Sequence, residues 1–64
     1  MFNPQKLKEA RLKAGYTQEQ VANILGIHPV SYSRWETGER EPKASYLLKL
    51  SSLLNVPIEY FFYF

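Results

Sequence analysis

The segment from Gln18 to Glu36 constrains the fold most, because it encodes two short amphipathic helices with almost nothing between them. Helix 2, counted from the N-terminus, is predicted over residues 18–25. Three of its apolar residues have the i, i+1, i+4 spacing of a core-facing stripe: Val21, Ala22 and Leu25. Gly26 ends this helix, because glycine adopts a positive φ at no steric cost and lets the chain reverse sharply. Helix 3 is predicted over residues 29–37, so the pair has the outline of a helix-turn-helix.

Helix 3 has two faces with different chemistry. Pro29 suits its first position, because proline has a fixed φ and no N–H, and His28 before it is a rather weak N-cap. Tyr32 and Trp35 lie three residues apart and point inward. The opposite face is small, partly apolar and carries one guanidinium; it consists of Pro29, Val30, Ser33, Arg34 and Thr37. A face of this kind fits the major groove of DNA.

Turn residues elsewhere predict five helices and no strand, so we expect residues 1–64 to form one compact all-α domain. Asn3 caps helix 1, which begins at Pro4. The inner face of helix 1 is predicted to carry Leu7, Ala10, Arg11 and Ala14. Pro42 is predicted to open a fourth helix with leucines at helical spacing, and Pro57 to start a short last one.

Composition narrows the classes of function. Eight Lys and Arg against six acidic residues give a net charge of +2, which favours polyanions only weakly. The chain has no cysteine and one histidine, so we expect no disulfide, no metal site and no cofactor. The same shortage of reactive side chains argues against an enzyme. No signal-peptide or membrane-spanning run is present, which predicts a cytoplasmic protein without a membrane partner.

Several motifs occur together and in a fixed order along the chain. They are L-K-E-A-R in helix 1, Y-T-Q-E-Q-V-A in helix 2, Leu25 with Gly26, R-W-E-T-G at the end of helix 3, and the later Pro42 and Leu54. From Leu7 to Phe61 the sequence resembles the Cro and phage-repressor family of helix-turn-helix domains, the Xre-type regulators. The resemblance implies a five-helix repressor-type fold and a transcriptional regulator, a bacterial or phage repressor, that binds double-stranded DNA sequence-specifically.

The resemblance also implies roles for individual residues. In similar proteins helix 3 reads base edges, and the matching positions here are Pro29, Val30, Ser33 and Arg34. Arg34 is the main candidate, because a guanidinium pairs with guanine O6 and N7 in a bidentate fork. The positions expected to contact phosphates lie at the start of helix 2, on helix 3 and after it: Thr17, Gln18, Ser31, Arg40 and Lys43.

Arg11 and Glu36 receive a structural interpretation. In resembling proteins these positions form a largely buried salt bridge that ties helix 1 to helix 3. Tyr32 departs from the family pattern, which has a smaller aliphatic residue there, so we expect its hydroxyl to reach the surface or a polar partner.

A homodimer on a pseudo-palindromic operator is the predicted assembly, formed in solution or only on DNA. Glu39 and Glu41 flank Arg40 and weaken the local positive field, so a single copy should bind weakly. The aromatic C-terminus supplies a candidate dimer interface made of Tyr60, Phe62, Tyr63 and Phe64. Two other interpretations of this segment remain: it marks a truncation point of a longer regulator, or it packs onto helices 1 and 4.

A second class of function also fits the sequence. A protein-interaction module, such as an adaptor or an antitoxin-like element, would keep the fold and use helix 3 or the aromatic tail to hold a protein partner. Charge separates the two hypotheses, because only DNA binding weakens steeply with salt and depends on Arg34 and Arg40.

Overall fold

Four α-helices and a C-terminal 3-10 helix make up the chain in the computed structural model, which describes residues 1–64. The helices are α1 (Pro4–Ala14), α2 (Gln18–Leu25), α3 (Pro29–Thr37), α4 (Ala44–Leu54) and the 3-10 helix Ile58–Phe62. There is no strand, so the all-α prediction is confirmed, with the last of the five helices in the tighter 3-10 form. None of the helices is both long and apolar enough to cross a membrane.

Side-chain caps fix the starts of the first three helices. The Asn3 side chain accepts a hydrogen bond from the Gln5 N–H at 3.0 Å. Thr17 forms a complete capping box with Gln20, at 3.1 Å and 2.8 Å in the two directions. The His28 ring accepts from the Val30 N–H at 3.1 Å through Nδ1, so this residue is a true N-cap of α3.

The start of α4 was predicted wrongly. The helix begins at Ala44 rather than at Pro42, and Lys43 is its N-cap without a side-chain hydrogen bond. Pro42 is buried. Its ring therefore anchors the connection between α3 and α4 in the core instead of opening the helix.

One face of each helix contributes to a single core. The core residues are Phe2, Leu7, Ala10, Val21, Ala22, Tyr32, Trp35, Leu47, Leu50, Leu54 and Phe61. The ring of Trp35 packs between two other aromatic rings of this core region, with centroids 5.7 Å from Tyr32 and 5.3 Å from Tyr46. Ala14 was predicted on this inner face and is instead exposed, because it falls at the last residue of α1.

The two ends of the chain are held together by hydrogen bonds. The Asn3 N–H donates to the Phe61 carbonyl and the Asn3 side-chain amide donates to the Tyr63 carbonyl, both at 2.6 Å. The rings of Phe2 and Phe62 meet edge to face at 6.4 Å. These contacts join the segment before α1 to the C-terminal 3-10 helix.

Candidate nucleic-acid interface

Three residues, 26–28, separate α2 from α3. Gly26 adopts the left-handed conformation with φ 72°, and its N–H donates to the Asn23 carbonyl at 3.1 Å. The next N–H, of Ile27, donates back to the Ala22 carbonyl at 3.0 Å. These bonds satisfy the last carbonyls of α2 and close a tight, well-defined turn. The two helices therefore form one rigid helix-turn-helix unit.

Four residues of α3 form an accessible surface that we call the outward strip: Pro29, Val30, Ser33 and Arg34. Val30 is 51% exposed and the Arg34 side chain 48%, while Pro29 and Ser33 are half-buried. The other face of the same helix carries Tyr32 at 0% and Trp35 at 7%. The core thus holds α3 by one side and leaves an apolar surface with one guanidinium on the other.

Arg34 does not stand alone on the outward strip. Its Nε lies 3.4 Å from Oε2 of Glu39, in the loop that follows α3. The Glu39 side chain is 64% exposed, so both charges face solvent.

The residues predicted to contact phosphates lie on three elements around α3. Thr17 and Gln18 are at the start of α2, Ser31 is in the first turn of α3, and Arg40 and Lys43 are in the loop after α3. All of them are exposed except Gln18, which is half-buried. Ser31, Arg40 and Lys43 have no side-chain hydrogen bond or ion pair within the chain, so their polar groups are free for an external anion.

Glu36 is the centre of the most buried polar cluster. Arg11 donates to its carboxylate twice, from Nε at 2.7 Å to Oε2 and from Nη2 at 3.1 Å to Oε1. The two side chains are 8% and 2% exposed. The structure thus brings together the Arg11–Glu36 pair that the family resemblance implied, and this pair links α1 to α3.

Two further donors complete the cluster around Glu36. The Tyr32 hydroxyl donates to Oε2 at 2.5 Å, and the Gln18 amide donates to Oε1 at 2.9 Å from Nε2. The remaining Arg11 donor, Nη1, reaches the Tyr16 carbonyl at 2.9 Å. The carboxylate therefore joins α1, α2 and α3 at one point.

The hydrogen bonds decide the charge state of this cluster. Burial by itself raises the pKa of Glu36, but the hydrogen bonds from Arg11, Tyr32 and Gln18 outweigh it and hold that pKa below the ordinary value of 4.5. The hydrogen bond to Glu36 raises the pKa of Arg11, and burial is the main cause that raises the pKa of Tyr32. Glu36 is thus an anion and Tyr32 a neutral donor across the physiological range.

The family resemblance implied the Arg11–Glu36 pair, and the Tyr32 hydroxyl, expected at the surface or on a polar partner, bonds Glu36 as that partner. The place of Gln18 in the cluster was not predicted. The spacing of Tyr32 and Glu36, four residues apart on α3, was the available signal, because side chains at i and i+4 meet on a helix. Gln18 gave no comparable signal, since its position beside Glu36 depends on how α2 packs on α3.

One residue of the aromatic C-terminus packs within its own chain, and the last three are exposed. Tyr60 is half-buried: its ring lies 5.8 Å from that of Tyr63, and the Lys6 ammonium stands 5.4 Å above it. Phe62, Tyr63 and Phe64 are 38%, 50% and 88% exposed. Tyr60 is thus engaged within its own chain, and the free apolar surface comes from the last three residues.

A rigid two-helix unit, held on a small helical core with an exposed strip on its second helix, defines the class of the chain as a helix-turn-helix domain. Comparison with known families agrees, because a family model described as "Helix-turn-helix" matches residues 7–61. The chain belongs to that family, of the Xre type, as its sequence motifs indicated.

Curated relatives of the chain are bacterial or phage-derived regulators. It is 49% identical over 55 residues to the HTH-type transcriptional regulator ImmR of Bacillus subtilis, a match that covers 86% of this chain and 43% of ImmR. It is 38% identical over 56 residues to the SPbeta prophage-derived regulator YonR of the same species, covering 88% of this chain and 52% of YonR. The cryptic phage CTXphi transcriptional repressor RstR of Vibrio cholerae is 34% identical over 53 residues, covering 83% of this chain and 48% of RstR. The chain spans about half the length of these relatives.

Proposed function

We propose that this chain is the DNA-binding domain of a transcriptional regulator and that α3 enters the major groove of double-stranded DNA. The observation that carries the proposal is the outward strip, which is small, accessible and fixed to the core through Tyr32 and Trp35 directly behind it. A helix with this contrast between its faces can lie along base pairs without exposing the core. The family and its regulator relatives support the same function.

Arg34 is proposed to supply the main base preference. Its guanidinium can form a bidentate pair with guanine, which is typically worth about 1–3 kcal/mol of discrimination. Val30 and Pro29 offer apolar surface to a thymine methyl group. Ser33 is small enough to let the helix approach the base edges and has a hydroxyl that bonds either kind of base.

Phosphate contacts are proposed on both sides of the outward strip. Thr17 and Gln18 lie at the N-terminus of α2, where the helix dipole stabilises an anion. Gln18 keeps a second amide hydrogen beyond the one donated to Glu36, and this hydrogen can bond a phosphate while the first holds the side chain in place. Ser31, Arg40 and Lys43 complete the set as unpaired exposed groups.

We also propose a homodimer on a pseudo-palindromic operator, acting as a repressor in the cytoplasm of a bacterium. RstR is named a transcriptional repressor, which supports repression rather than activation. Two copies would place their α3 helices in successive major grooves, about 34–36 Å apart. The exposed Phe62, Tyr63 and Phe64 are the surface proposed for the contact between copies.

Titration of a fluorescent duplex at several salt concentrations tests the DNA-binding proposal. We expect the logarithm of the binding constant to fall linearly with the logarithm of salt, with a slope of about −0.9 for each phosphate neutralised. Arg40→Ala should weaken binding to all sequences alike and reduce the slope by about 1. Arg34→Ala should instead relax the preference for one base position. A protein-interaction module would show no such slope and no effect of either change.

Sedimentation over a range of concentrations, with and without duplex, tests the dimer. Phe64→Ser should shift the equilibrium toward monomer without lowering the melting temperature at dilutions where the parent is also monomeric, because this side chain is 88% exposed within one copy. A chain that stays monomeric at hundreds of micromolar, and that binds DNA as one copy, would remove the dimer from the proposal.

A further inference from the structure

We propose that Glu39 is a positioning residue for Arg34 and thereby sharpens the base preference of the outward strip. The inference rests on the proposed function and deepens it, because it assigns selectivity to an acidic side chain that opposes DNA binding by its charge. Three features of the structure carry it: the turn that fixes Glu39, the atom of Arg34 that it engages, and a matched acidic neighbour that engages nothing.

The backbone that carries Glu39 is tied to the backbone of Arg34. The Thr37 hydroxyl donates to the Arg34 carbonyl at 3.1 Å and accepts from the Glu39 N–H at 3.4 Å. The N–H of Arg40 donates to the same Arg34 carbonyl at 3.2 Å. Gly38 makes this turn with φ 84°, in the left-handed region. Glu39 is thus held beside Arg34 by the helix end itself and not only by attraction between the two charges.

The ion pair engages one particular edge of the guanidinium. Oε2 of Glu39 lies 3.4 Å from Nε of Arg34. A guanidinium can bind a planar partner through the edge formed by Nε and one terminal nitrogen, or through its two terminal nitrogens. Nε is the guanidinium nitrogen nearest to Glu39, and the two terminal nitrogens make no hydrogen bond within the chain. They are therefore available as the fork that matches O6 and N7 of guanine. Glu39 therefore presents Arg34 end-on and restricts its side-chain rotation before DNA arrives.

The Arg34–Glu39 ion pair is expected to add little to the free energy of unfolding. The two side chains are 48% and 64% exposed, and exposed ion pairs contribute little to folding. Glu39 also repels phosphates, which lowers the affinity for all DNA. Glu39 is therefore expected to increase the difference in affinity between the preferred base and other bases, and not the overall affinity for DNA.

Glu41 provides a matched control. It lies two residues further along the same loop, carries the same charge, is exposed, and has no ion pair within the chain. Neutralising either residue removes one negative charge near the DNA backbone. Only Glu39→Gln also removes the carboxylate that holds Nε of Arg34.

The experiment is a selection from a pool of duplexes with about 20 random base pairs, two helical turns, followed by sequencing. It is run with the wild-type chain, Arg34→Ala, Glu39→Gln, Glu41→Gln and the double variant Arg34→Ala with Glu39→Gln. The base position that loses its preference in Arg34→Ala identifies the contact of Arg34. Affinity for the unselected pool and the melting temperature are measured for each variant.

We expect Glu39→Gln to lower selectivity at the Arg34 position by about two- to fivefold, the range of an exposed ion pair, and to leave other positions unchanged. Glu41→Gln should keep full selectivity. Both variants should bind the unselected pool more tightly by a similar factor that shrinks with added salt, and neither should change the melting temperature. In the absence of Arg34, the Glu39 substitution should have no effect on selectivity.

Two results overturn the inference and leave DNA binding in place. One is equal selectivity at the Arg34 position in Glu39→Gln and Glu41→Gln. The other is selectivity that rises in Glu39→Gln, which would show that Glu39 competes with DNA for Arg34. If the wild-type chain enriches no sequence and has no affinity for the pool at low salt, the proposed function fails, and the role of Glu39 fails with it.

Discussion

Replacement of Glu36 by glutamine exchanges one carboxylate oxygen for an NH₂ group, and among such small changes it should lower the stability of this domain most. The carboxylate accepts four hydrogen bonds, and its side chain is 2% exposed. A neutral amide leaves the Arg11 guanidinium buried without a counter-ion, and it places an NH₂ group against donors that need an acceptor. Breaking one partner of such a pair costs about 3–5 kcal/mol.

This cost is large for a chain of 64 residues. A domain of this size has a total stability of about 3–10 kcal/mol, so a loss of 3–5 kcal/mol removes a large share of it. For a domain of this size each kcal/mol shifts the melting temperature by about 4–8 °C. We therefore expect Glu36→Gln to melt at least about 12 °C below the parent, or to be unfolded at room temperature.

The change in melting temperature is measured by thermal unfolding, monitored by far-UV circular dichroism and by Trp35 fluorescence. Trp35 is a suitable probe because its ring packs against Tyr32, one of the donors to Glu36. Glu41→Gln is the control, since it removes an exposed and unpaired carboxylate. If Glu36→Gln melts within about 3 °C of the parent, as a surface substitution would, the cluster does not support the fold and this reasoning is wrong.

Three further predictions concern stability. Tyr32→Phe removes one donor to a buried carboxylate and should cost about 1.5–3 kcal/mol in urea unfolding, a smaller loss than that of Glu36→Gln. The pKa of Glu36 lies below 4.5 in the folded chain, so its contribution to stability is complete above the unfolded pKa and is lost as the pH falls through the folded pKa. Unfolding measured at a series of acidic pH values should show this loss of stability in the parent. The Glu36→Gln variant should not show it. Gly38→Ala and Gly26→Ala both place a Cβ at positive φ, which costs about 1–2 kcal/mol, but only at Gly38 would the Cβ lie 3.2 Å from a side-chain atom, Cγ of Pro4. Calorimetry should therefore rank Gly38→Ala as the less stable of the two, and the reverse order would contradict the close approach of Pro4 to Gly38.

Local signals in the sequence were sufficient for most of the fold. Proline, asparagine and threonine at helix starts, with glycines at helix ends, gave α1, α2 and α3 with the boundaries that the structure has. The prolines and glycines act through their own φ, and Asn3 and Thr17 act through side-chain bonds to N–H groups two or three residues away, so these effects are local. Pro42 shows the limit of such signals, because the same residue type serves as a buried anchor when the core is close by.

The parts that could not be predicted depend on tertiary packing. The bond between Gln18 and Glu36 joins residues that are 18 positions apart, and nothing local indicates that α2 brings them within 2.9 Å. The ion pair of Arg34 with Glu39 crosses a helix end, where the rotation of the chain is set by Gly38. The outward strip itself was predictable, because helical periodicity places Tyr32 and Trp35 on one face of α3 and the strip residues on another.

The central claim is that the outward strip of α3 is the surface that touches DNA, and an NMR titration tests it most directly. An isotope-labelled chain is titrated with a duplex obtained by selection, and each backbone amide is followed. If α3 binds DNA through this strip, the largest shifts lie at the start of α2 and along residues 30–37 of α3, with little change along α4. Shifts confined to the aromatic C-terminus, or no shifts with any duplex in dilute buffer, would contradict it.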